Sequence, residues 1–319
     1  MKKITLALLS GGISSEREVS LKSGDQVYAA LDKEKYNVLR YDPKSDLKQM
    51  VDDAPKIDAA LIILHGEFGE DGRVQGLLDM LGIPYQGSGV LGSATAMNKL
   101  IAKQLYDHSK IPVPPYIALR RDEPMDLEAA AAELGLPLVV KPAANGSSIG
   151  MSIVKTVDDV KRAVETAFRY DELVLLETFI DGIEVTCGVI GNEDLQALPV
   201  IEIVPGQDHE FFDYHAKYTA GETIEICPAR IPEDLTRKVM DYAKKAHRAL
   251  FCSGYSRTDM ILKDREIYVL ETNTIPGMTP TSLFPRSAEE SGLPFGKLLD
   301  KLIELGIERH KNSARILRN

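Results

Sequence analysis

The chain has 319 residues, of which 44% are apolar and 27% are charged, and this length exceeds what one hydrophobic core usually serves. We therefore expect a globular protein of two or three domains. The formal net charge of −10 argues against a general nucleic-acid-binding surface, and no apolar run approaches the ~20 residues that a membrane-spanning helix needs.

The three cysteines, Cys187, Cys227 and Cys252, lie far apart and lack the spacing of a zinc site or a disulfide framework. They indicate buried thiols in a reducing compartment. The apolar stretch Ile4–Leu9 is too short for a signal peptide, and the charged residues 16–18 follow it closely. The sequence therefore predicts a cytoplasmic protein.

Predicted strands and helices alternate over the first hundred residues. Strands are expected at Ile4–Leu9, Tyr36–Tyr41 and 59–64, and a helix at 19–31. Apolar residues at i, i+3, i+4 and i+7 indicate a second helix, namely Val74, Leu77, Leu78 and Leu81. This alternation predicts a parallel sheet with its binding crevice at the carboxyl ends of the strands.

The proline-rich segment 111–115 ends a helix predicted over 93–108 and marks a domain boundary. An α+β unit follows, with helices near 127–134 and 158–168 and strands at 138–141, 152–155 and 173–177. The remainder is rich in strands, at 184–190, 197–204 and 223–227, before a helix at 234–251, a hairpin of 258–262 with 267–272, and a final helix at 295–309. The predicted domains are residues 1–96, 97–183 and 184–319.

The predicted hairpin carries the sharpest metal signal. Glu271 and Asn273 share one face of the second strand, because side chains two residues apart point the same way. Asp259 joins them only if the turn has an odd number of residues, so a three-residue turn at 264–266 is required. Two carboxylates and an amide oxygen suit Mg²⁺, which usually keeps substrate phosphates as further ligands. The alternative is a solvated polar face.

A Gly/Ser-rich turn at 146–150 follows Lys141, which ends a predicted strand. Backbone N–H groups of such a turn can surround a phosphate while the lysine offsets its charge. The turn is not a Walker A loop, and an ordinary turn is the alternative. Segment 205–222 is polar and aromatic without a clear period, which favours a lid or binding loop over a disordered insert.

Segment 11–16 begins at the end of the first strand and precedes a predicted helix, and Glu16 is its last residue. It can position a substrate at the helix N-terminus, and the alternative is simple complementarity to the helix dipole. His65 follows a strand and is ambiguous by itself.

Six segments, in order and spread over nearly the whole chain, resemble the D-alanine–D-alanine ligase family of the ATP-grasp superfamily. They are SGGISSEREVSL (10–21), HGEFGEDG (65–72), GSGVLGSATAMNK (87–99), KPAANGSSIG (141–150), FDYHAKY (212–218) and RTDMILKDREIYVLETNTIPGMTPTSL (257–283). Departures are minor: Arg17 stands where many relatives have His, and Phe212 and His215 vary their motif. The resemblance implies an ATP-grasp fold of mixed α/β and α+β class, in which an N-terminal parallel-sheet domain and two α+β domains clamp ATP.

The resemblance also implies the activity, which is ATP-dependent joining of two D-alanines through a D-alanyl phosphate for peptidoglycan synthesis. ATP would be bound by Lys99, Lys141, Gly146, Ser148, Glu177, Ile180, Glu184 and Lys217. Two Mg²⁺ ions, for which Mn²⁺ can substitute, would be held by Asp259, Glu271 and Asn273. The implied catalytic residues are Glu16, Ser147, Tyr218, Arg257 and Gly277, and the implied D-alanine-binding residues are His65, Glu70, Ser282 and Leu283.

Three alternatives remain open from the sequence. The first is a ligase that couples D-alanine to D-lactate or D-serine, the second is another ATP-grasp carboxylate–amine ligase, and the third is a catalytically dead nucleotide-binding relative. Tyr218 in its Ala-Lys-Tyr context resembles the dipeptide-forming branch, and Arg257 with an intact metal set argues against a dead site. Relatives are often dimers, so a homodimer is left open. D-alanine is the expected partner, with no nucleic acid or membrane.

Overall fold

The computed structural model describes residues 2–144, 146, 149–206 and 223–316. Its first sheet has three parallel strands in the order β2-β1-β3, formed by β1 (Ile4–Leu9), β2 (Tyr36–Tyr41) and β3 (Ala59–Ile62). The elements around it are α1 (Arg17–Ala30), α2 (Leu47–Asp53), a 3₁₀ turn (Ala54–Lys56) and α3 (Arg73–Met80). The predicted parallel sheet is confirmed, and its third strand ends two residues before the predicted residue 64.

The prediction of one helix over 93–108 is wrong, because the chain forms α4 (Val90–Met97) and α5 (Lys99–His108) with Asn98 between them. Asn98 has an extended backbone, and its side chain accepts a hydrogen bond from the N–H of Ile101. An asparagine that caps a new helix in this way ends the preceding one. The N–H of Lys99 then donates to the carbonyl of Ala143 at 2.8 Å, which ties the start of α5 to the second sheet.

The second sheet is antiparallel, in the order β4-β7-β5-β6. Its strands are β4 (Tyr116–Arg120), β5 (Leu138–Pro142), β6 (Ser152–Val154) and β7 (Leu173–Thr178). The helices α6 (Leu127–Leu134) and α7 (Val157–Ala167) share one apolar core with this sheet. The strand β4 had no counterpart among the sequence predictions.

The third sheet runs in the order β11-β10-β8-β12-β13, and the short β9 pairs with β8. Its strands are β8 (Ile183–Gly191), β9 (Gln196–Ala197), β10 (Ile201–Pro205), β11 (Thr223–Ile226), β12 (Gly254–Lys263) and β13 (Glu266–Asn273). The predicted strand 197–204 is therefore two strands with a break between them.

Three helices complete the described chain, namely α8 (Glu233–Ala249), α9 (Leu283–Glu290) and α10 (Phe295–Ile316). The helix α10 extends beyond the predicted end at 309, and its leucines pack into the same core as Leu6 and Leu8 of β1. Among the described residues, no helix has the length and apolar content needed to cross a membrane. The boundaries of the three predicted domains stay a prediction.

Candidate active site

Two glycine-containing loops approach the carboxylate of Glu16, which precedes α1 and is 6% exposed. Gly66 has a φ of +72°, and a Cβ at that position would lie 2.7 Å from Glu16 Oε2. A Cβ at Gly146 would lie 3.5 Å from the same oxygen. Glu16 therefore lies where the loop after β3 and the loop after β5 meet. The predicted residues Glu16, His65 and Gly146 thus come together in one crevice.

The environment of this crevice changes the protonation of its acidic and basic groups. Burial lowers the pKa of His65, an effect that the nearby Glu16 carboxylate only partly offsets. Burial also raises the pKa of Glu70 to about 8, and the charges of Glu16 and Glu271 act in the same direction. The N–H of Gly66 donates to Glu70 Oε2 at 2.6 Å. A crevice in which acidic side chains crowd one another and disfavour ionisation is suited to bind a substrate ammonium group, whose charge would favour their ionised forms.

The turn between β12 and β13 is one residue shorter than the three-residue turn that the sequence analysis required. Lys263 pairs with Glu266, so the turn has two residues, Asp264 and Arg265, and both have positive φ. The requirement for an odd count was nevertheless wrong, because Asp259 still lies opposite Glu271. A β-bulge supplies the missing residue: Met260 pairs with Val269 but Asp259 pairs with Glu271, so the register shifts between Asp259 and Met260.

The bulge places four polar residues on one face of the third sheet, Arg257 and Asp259 on β12 opposite Asn273 and Glu271 on β13. Arg257 donates to both oxygens of Asp259, from Nε at 2.9 Å and from a terminal nitrogen at 2.7 Å. Thr186 Oγ1 donates to Asp259 Oδ1 at 2.6 Å, and Asn273 Nδ2 donates to Oδ2 at 3.1 Å. The predicted metal residues and the predicted oxyanion residue Arg257 are therefore neighbours.

The chemistry of this donor set fits a hard cation. Asp259 and Glu271 contribute carboxylate oxygens, and Asn273, whose Nδ2 faces Asp259, keeps its amide oxygen available as a ligand. Within the described ranges no three His, Cys, Asp or Glu side chains form a metal-binding cluster. Asp259, Glu271 and Asn273 would leave positions of an octahedral cation open to other ligands. This is the usual situation of Mg²⁺, which takes one or two carboxylates together with phosphate oxygens and water.

The predicted nucleotide-binding residues lie mainly on and beside the second sheet. Lys141 at the end of β5 forms an ion pair with Glu177 on β7, with 2.8 Å between Nζ and Oε1. Burial opposes ionisation of Glu177, but neighbouring lysines outweigh it and hold the pKa of this carboxyl below its ordinary value. Ile180 is buried just after β7, and Glu184 lies on β8 opposite Ile261.

The residues predicted to bind the second D-alanine are adjacent to one another. Ser282 precedes α9, and its hydroxyl lies 2.8 Å from Thr279 Oγ1 and accepts the N–H of Thr279 at 3.2 Å. A Cβ on Gly277 would lie 3.0 Å from Ser282 Oγ, so the backbone of Gly277 passes directly beside this hydroxyl. Leu283 is buried against Ile201 and Ile203.

Several predicted residues lie outside the described residues. They are Ser147, Ser148, Lys217 and Tyr218, together with most of the predicted lid, residues 207–222. Their assigned roles stay predictions.

Sequence reasoning overlooked two residues at the site. Thr186 donates to Asp259, and Lys103 lies 3.3 Å from Glu177 Oε1. A signal for Lys103 exists in the sequence, because it shares the buried face of α5 with Ala102 and Tyr106 at helical spacing. A lysine on such a face requires a buried partner. Thr186 has no comparable signal, since threonine is an ordinary residue in a strand.

Two protein-family models match this chain. A family model described as "D-ala D-ala ligase C-terminus" matches residues 105–304, and one described as "D-ala D-ala ligase N-terminus" matches residues 42–88. The chain is 62% identical over 307 residues to a D-alanine–D-alanine ligase of Syntrophobacter fumaroxidans, covering 96% of this chain and 99% of that protein.

Solved structures agree with the sequence comparison. The fold is similar to that of a Bacillus anthracis D-alanine–D-alanine ligase complexed with ATP, with a TM-score of 0.86, 37% identity, and coverage of 97% of this chain and 99% of that one. It is also similar to the VanG D-Ala:D-Ser ligase of Enterococcus faecalis, with a TM-score of 0.81, 32% identity, and coverage of 96% and 100%. On these matches, the chain belongs to the D-alanine–D-alanine ligase family, whose fold is the ATP-grasp fold.

Proposed function

We propose that this protein catalyses the ATP-dependent ligation of two D-alanines to D-alanyl-D-alanine, with release of ADP and phosphate, for peptidoglycan precursor synthesis. One observation carries the proposal. Arg257 lies beside Asp259 and Glu271, the two carboxylates of the proposed metal site. The charges of Arg257 and Glu271 both influence the pKa of Glu70, which lies in the same crevice as Glu16. The residues proposed to act on the phosphoryl group and those proposed to bind the ammonium group are therefore neighbours.

The chemistry runs in two balanced steps. The carboxylate of the first D-alanine attacks the γ-phosphorus of ATP, the bond to ADP breaks, and a D-alanyl phosphate forms. The ammonium of the second D-alanine first loses a proton to solvent, the resulting amine attacks the acyl carbon, phosphate leaves with the electrons of the broken C–O bond, and the nitrogen releases its second proton to solvent. Phosphorylation is needed because a free carboxylate is a poor acyl donor.

Different residues bind the two substrates and stabilise the oxyanion. Glu16, supported by His65 and Glu70, binds the ammonium of the first D-alanine. Arg257 and the N–H of Gly277 stabilise the oxyanion that forms during the second step, the contribution that often dominates in acyl transfer. Ser282 and Leu283 bind the carboxylate of the second D-alanine at the start of α9, where backbone N–H groups favour anions.

Nucleotide binding is assigned to the second sheet and its surroundings. The side chains of Lys99, Lys141 and Lys217 and the turn containing Gly146 and Ser148 bind the phosphates, while Glu177, Ile180 and Glu184 bind the adenosine. Asp259, Glu271 and Asn273 would hold two Mg²⁺ ions, or Mn²⁺ in their place, and bound ions would offset the charge of the transferred phosphoryl group. Ser147 and Tyr218 complete the hydrogen-bonded set around Glu16.

Since ATP and the acceptor D-alanine are small intracellular metabolites, we place the reaction in the cytoplasm.

The test is product analysis with ATP, Mg²⁺ and D-alanine. We expect ADP, phosphate and D-alanyl-D-alanine in equal amounts. Release of AMP and pyrophosphate would contradict the acyl-phosphate route. Parallel reactions with D-serine and D-lactate as second substrate distinguish the depsipeptide and D-serine alternatives, and we expect D-alanine to be preferred over both.

A further inference from the structure

A buried cluster of three charged side chains lies on one face of the second sheet. Glu177 Oε1 is 2.8 Å from Lys141 Nζ and 3.3 Å from Lys103 Nζ. The side chains of Lys103, Glu177 and Lys141 are 0%, 3% and 11% exposed. Two cations thus share one carboxylate, and Lys141 is the more exposed of the two lysines.

The two lysines are held by different parts of the fold. Lys141 is the penultimate residue of β5, whereas Lys103 projects from α5. The helix α5 is anchored by the hydrogen bond from Lys99 N–H to the Ala143 carbonyl. The Lys103 ammonium also lies 5.3 Å from the centre of the Tyr116 ring, which closes the cluster on the side of β4. Lys103 therefore has no route to solvent.

The charges in this cluster are not balanced among themselves. Burial lowers the pKa of Lys103 to about 8, although Glu177 raises it, and the charge of Lys141 lowers it further. Within the described part of the chain, Lys103 Nζ and Glu177 Oε1 are buried atoms without a hydrogen bond of good geometry. A buried ion cluster with an excess cation and unused hydrogen-bonding capacity is suited to receive an anionic, hydrogen-bonding ligand.

We propose that Lys103 is a positioning residue, the fixed counter-ion that keeps Glu177 charged and oriented toward the adenine when Lys141 is drawn to the phosphates of ATP. The inference rests on the proposed function, since it assumes that Lys141 and Glu177 belong to the ATP site. It adds to that proposal that two residues, Lys103 and Glu177, together make the site selective for adenine.

Lys141 and Lys103 have different roles because they lie at different depths. Phosphate charges attract Lys141, which lies at the edge of the crevice, and Glu177 then loses its closer partner. A buried carboxylate left without a counter-ion is strongly destabilised, and it takes up a proton instead. With Lys103 in place, Glu177 stays ionised and can accept a hydrogen from the 6-amino group of adenine. The same carboxylate repels the 6-oxo group of hypoxanthine.

The experiment measures binding of ATP and ITP to the full-length protein by calorimetry and steady-state kinetics. Wild type is compared with Lys103→Met, Glu177→Gln and the double variant, and the exposed Lys161→Met on α7 is the matched control. We expect Lys103→Met to weaken ATP binding at least about tenfold, as when a buried charge loses its partner. ITP binding should weaken less, and the effect should fall on the KM for ATP more than on kcat or the KM for D-alanine.

The double variant separates positioning from a general structural role. In the Glu177→Gln background no charge needs a counter-ion, so adding Lys103→Met should change ATP binding only slightly. The double variant also keeps the test usable if Lys103→Met alone fails to fold, because it removes both charges. Equal losses for ATP and ITP, or an undiminished effect of Lys103→Met in the Glu177→Gln background, would overturn the inference.

The two proposals can fail separately. If wild type forms the dipeptide but Lys103→Met affects both nucleotides alike, the role of Lys103 is wrong and the ligase function stands. If wild type forms no dipeptide while Lys103→Met still narrows the preference for ATP over ITP, the positioning role stands and the ligase function fails.

Discussion

The two faces of the β12–β13 hairpin differ in the kind of hydrogen bond that each carries. The charged face consists of Arg257, Asp259, Glu271 and Asn273. The hydrogen bonds described above for this face are all accepted by the charged Asp259 carboxylate, and its members range from buried to half-buried.

The opposite, neutral face carries Ser256, Thr258 and Thr272. Tyr106 donates its hydroxyl proton to Thr272 Oγ1 at 2.7 Å, Thr258 and Thr272 hydroxyls lie 3.0 Å apart, and His247 Nδ1 lies 2.7 Å from Ser256 Oγ. All five of these side chains are buried.

The two faces show where this fold can accommodate charged side chains. On the neutral face, a charge would have no solvent and no ligand to stabilise it, so hydroxyl pairs hold the strands together. On the charged face, the ionic groups retain access to a crevice in which a ligand can complete their contacts. We therefore expect substitutions on the charged face to reduce activity, and substitutions on the neutral face to reduce stability.

The largest effect is expected from Glu271→Gln on the charged face. The change keeps the shape of the side chain but removes a carboxylate charge from the proposed Mg²⁺ site. We expect turnover to fall by a factor on the order of 100 or more, which corresponds to ~3 kcal/mol of lost transition-state stabilisation. The thermal midpoint should hardly change. Steady-state kinetics and thermal melting measure both quantities.

The matched control is Glu266→Gln at the far, exposed end of the same strand, where the carboxylate accepts the Tyr268 hydroxyl at 2.6 Å. It makes the same chemical change away from the crevice. Similar activity in the two variants would remove Glu271 from the site.

A smaller effect, on stability and dependent on pH, is expected from His247→Gln on the neutral face. Burial, together with the charge of Arg248, lowers the pKa of His247 from 6.5 to about 4. Below pH 6.5 the unfolded chain therefore binds a proton that the folded protein excludes, and stability falls as the pH drops toward 4. This group alone should cost about 2 kcal/mol at pH 4.5. The variant lacks this loss.

Urea unfolding of both proteins at pH 7 and pH 4.5 tests the prediction. The free energy of unfolding should fall by about 2 kcal/mol less in the variant than in wild type. His65, whose pKa is also lowered by burial, is present in both proteins, so its contribution cancels. Parallel losses in the two proteins would mean that His247 does not titrate in this range.

The smallest effect is expected from Thr272→Val, also on the neutral face. The change keeps the shape but leaves the buried Tyr106 hydroxyl without its acceptor. We expect the free energy of unfolding to fall by about 1–2 kcal/mol, while turnover falls far less than in Glu271→Gln. Adding Tyr106→Phe should cost little more, because it removes the stranded hydroxyl. An additive second loss in urea unfolding would show that the two hydroxyls do not act as a pair.

The sequence alone determined much of this protein. Local period and composition predicted β1 and β2 with their observed bounds, and the parallel sheet followed from the alternation of strands and helices. Motif order identified the family and named the residues that the structure brings together around Glu16 and Asp259. These features depend on short stretches of chain, so side-chain type and spacing suffice to predict them.

The register of the hairpin and the partners of the buried charges could not be predicted from local sequence. The two-residue turn by itself would place Asp259 on the face away from Glu271, but Val269 and Thr272 must both be buried, and a bulge between them reconciles the two requirements. Lys103 and Glu177 are 74 residues apart in sequence (177 − 103 = 74), and only the folded chain brings them together. Such contacts depend on burial and packing of distant segments, which no local pattern contains.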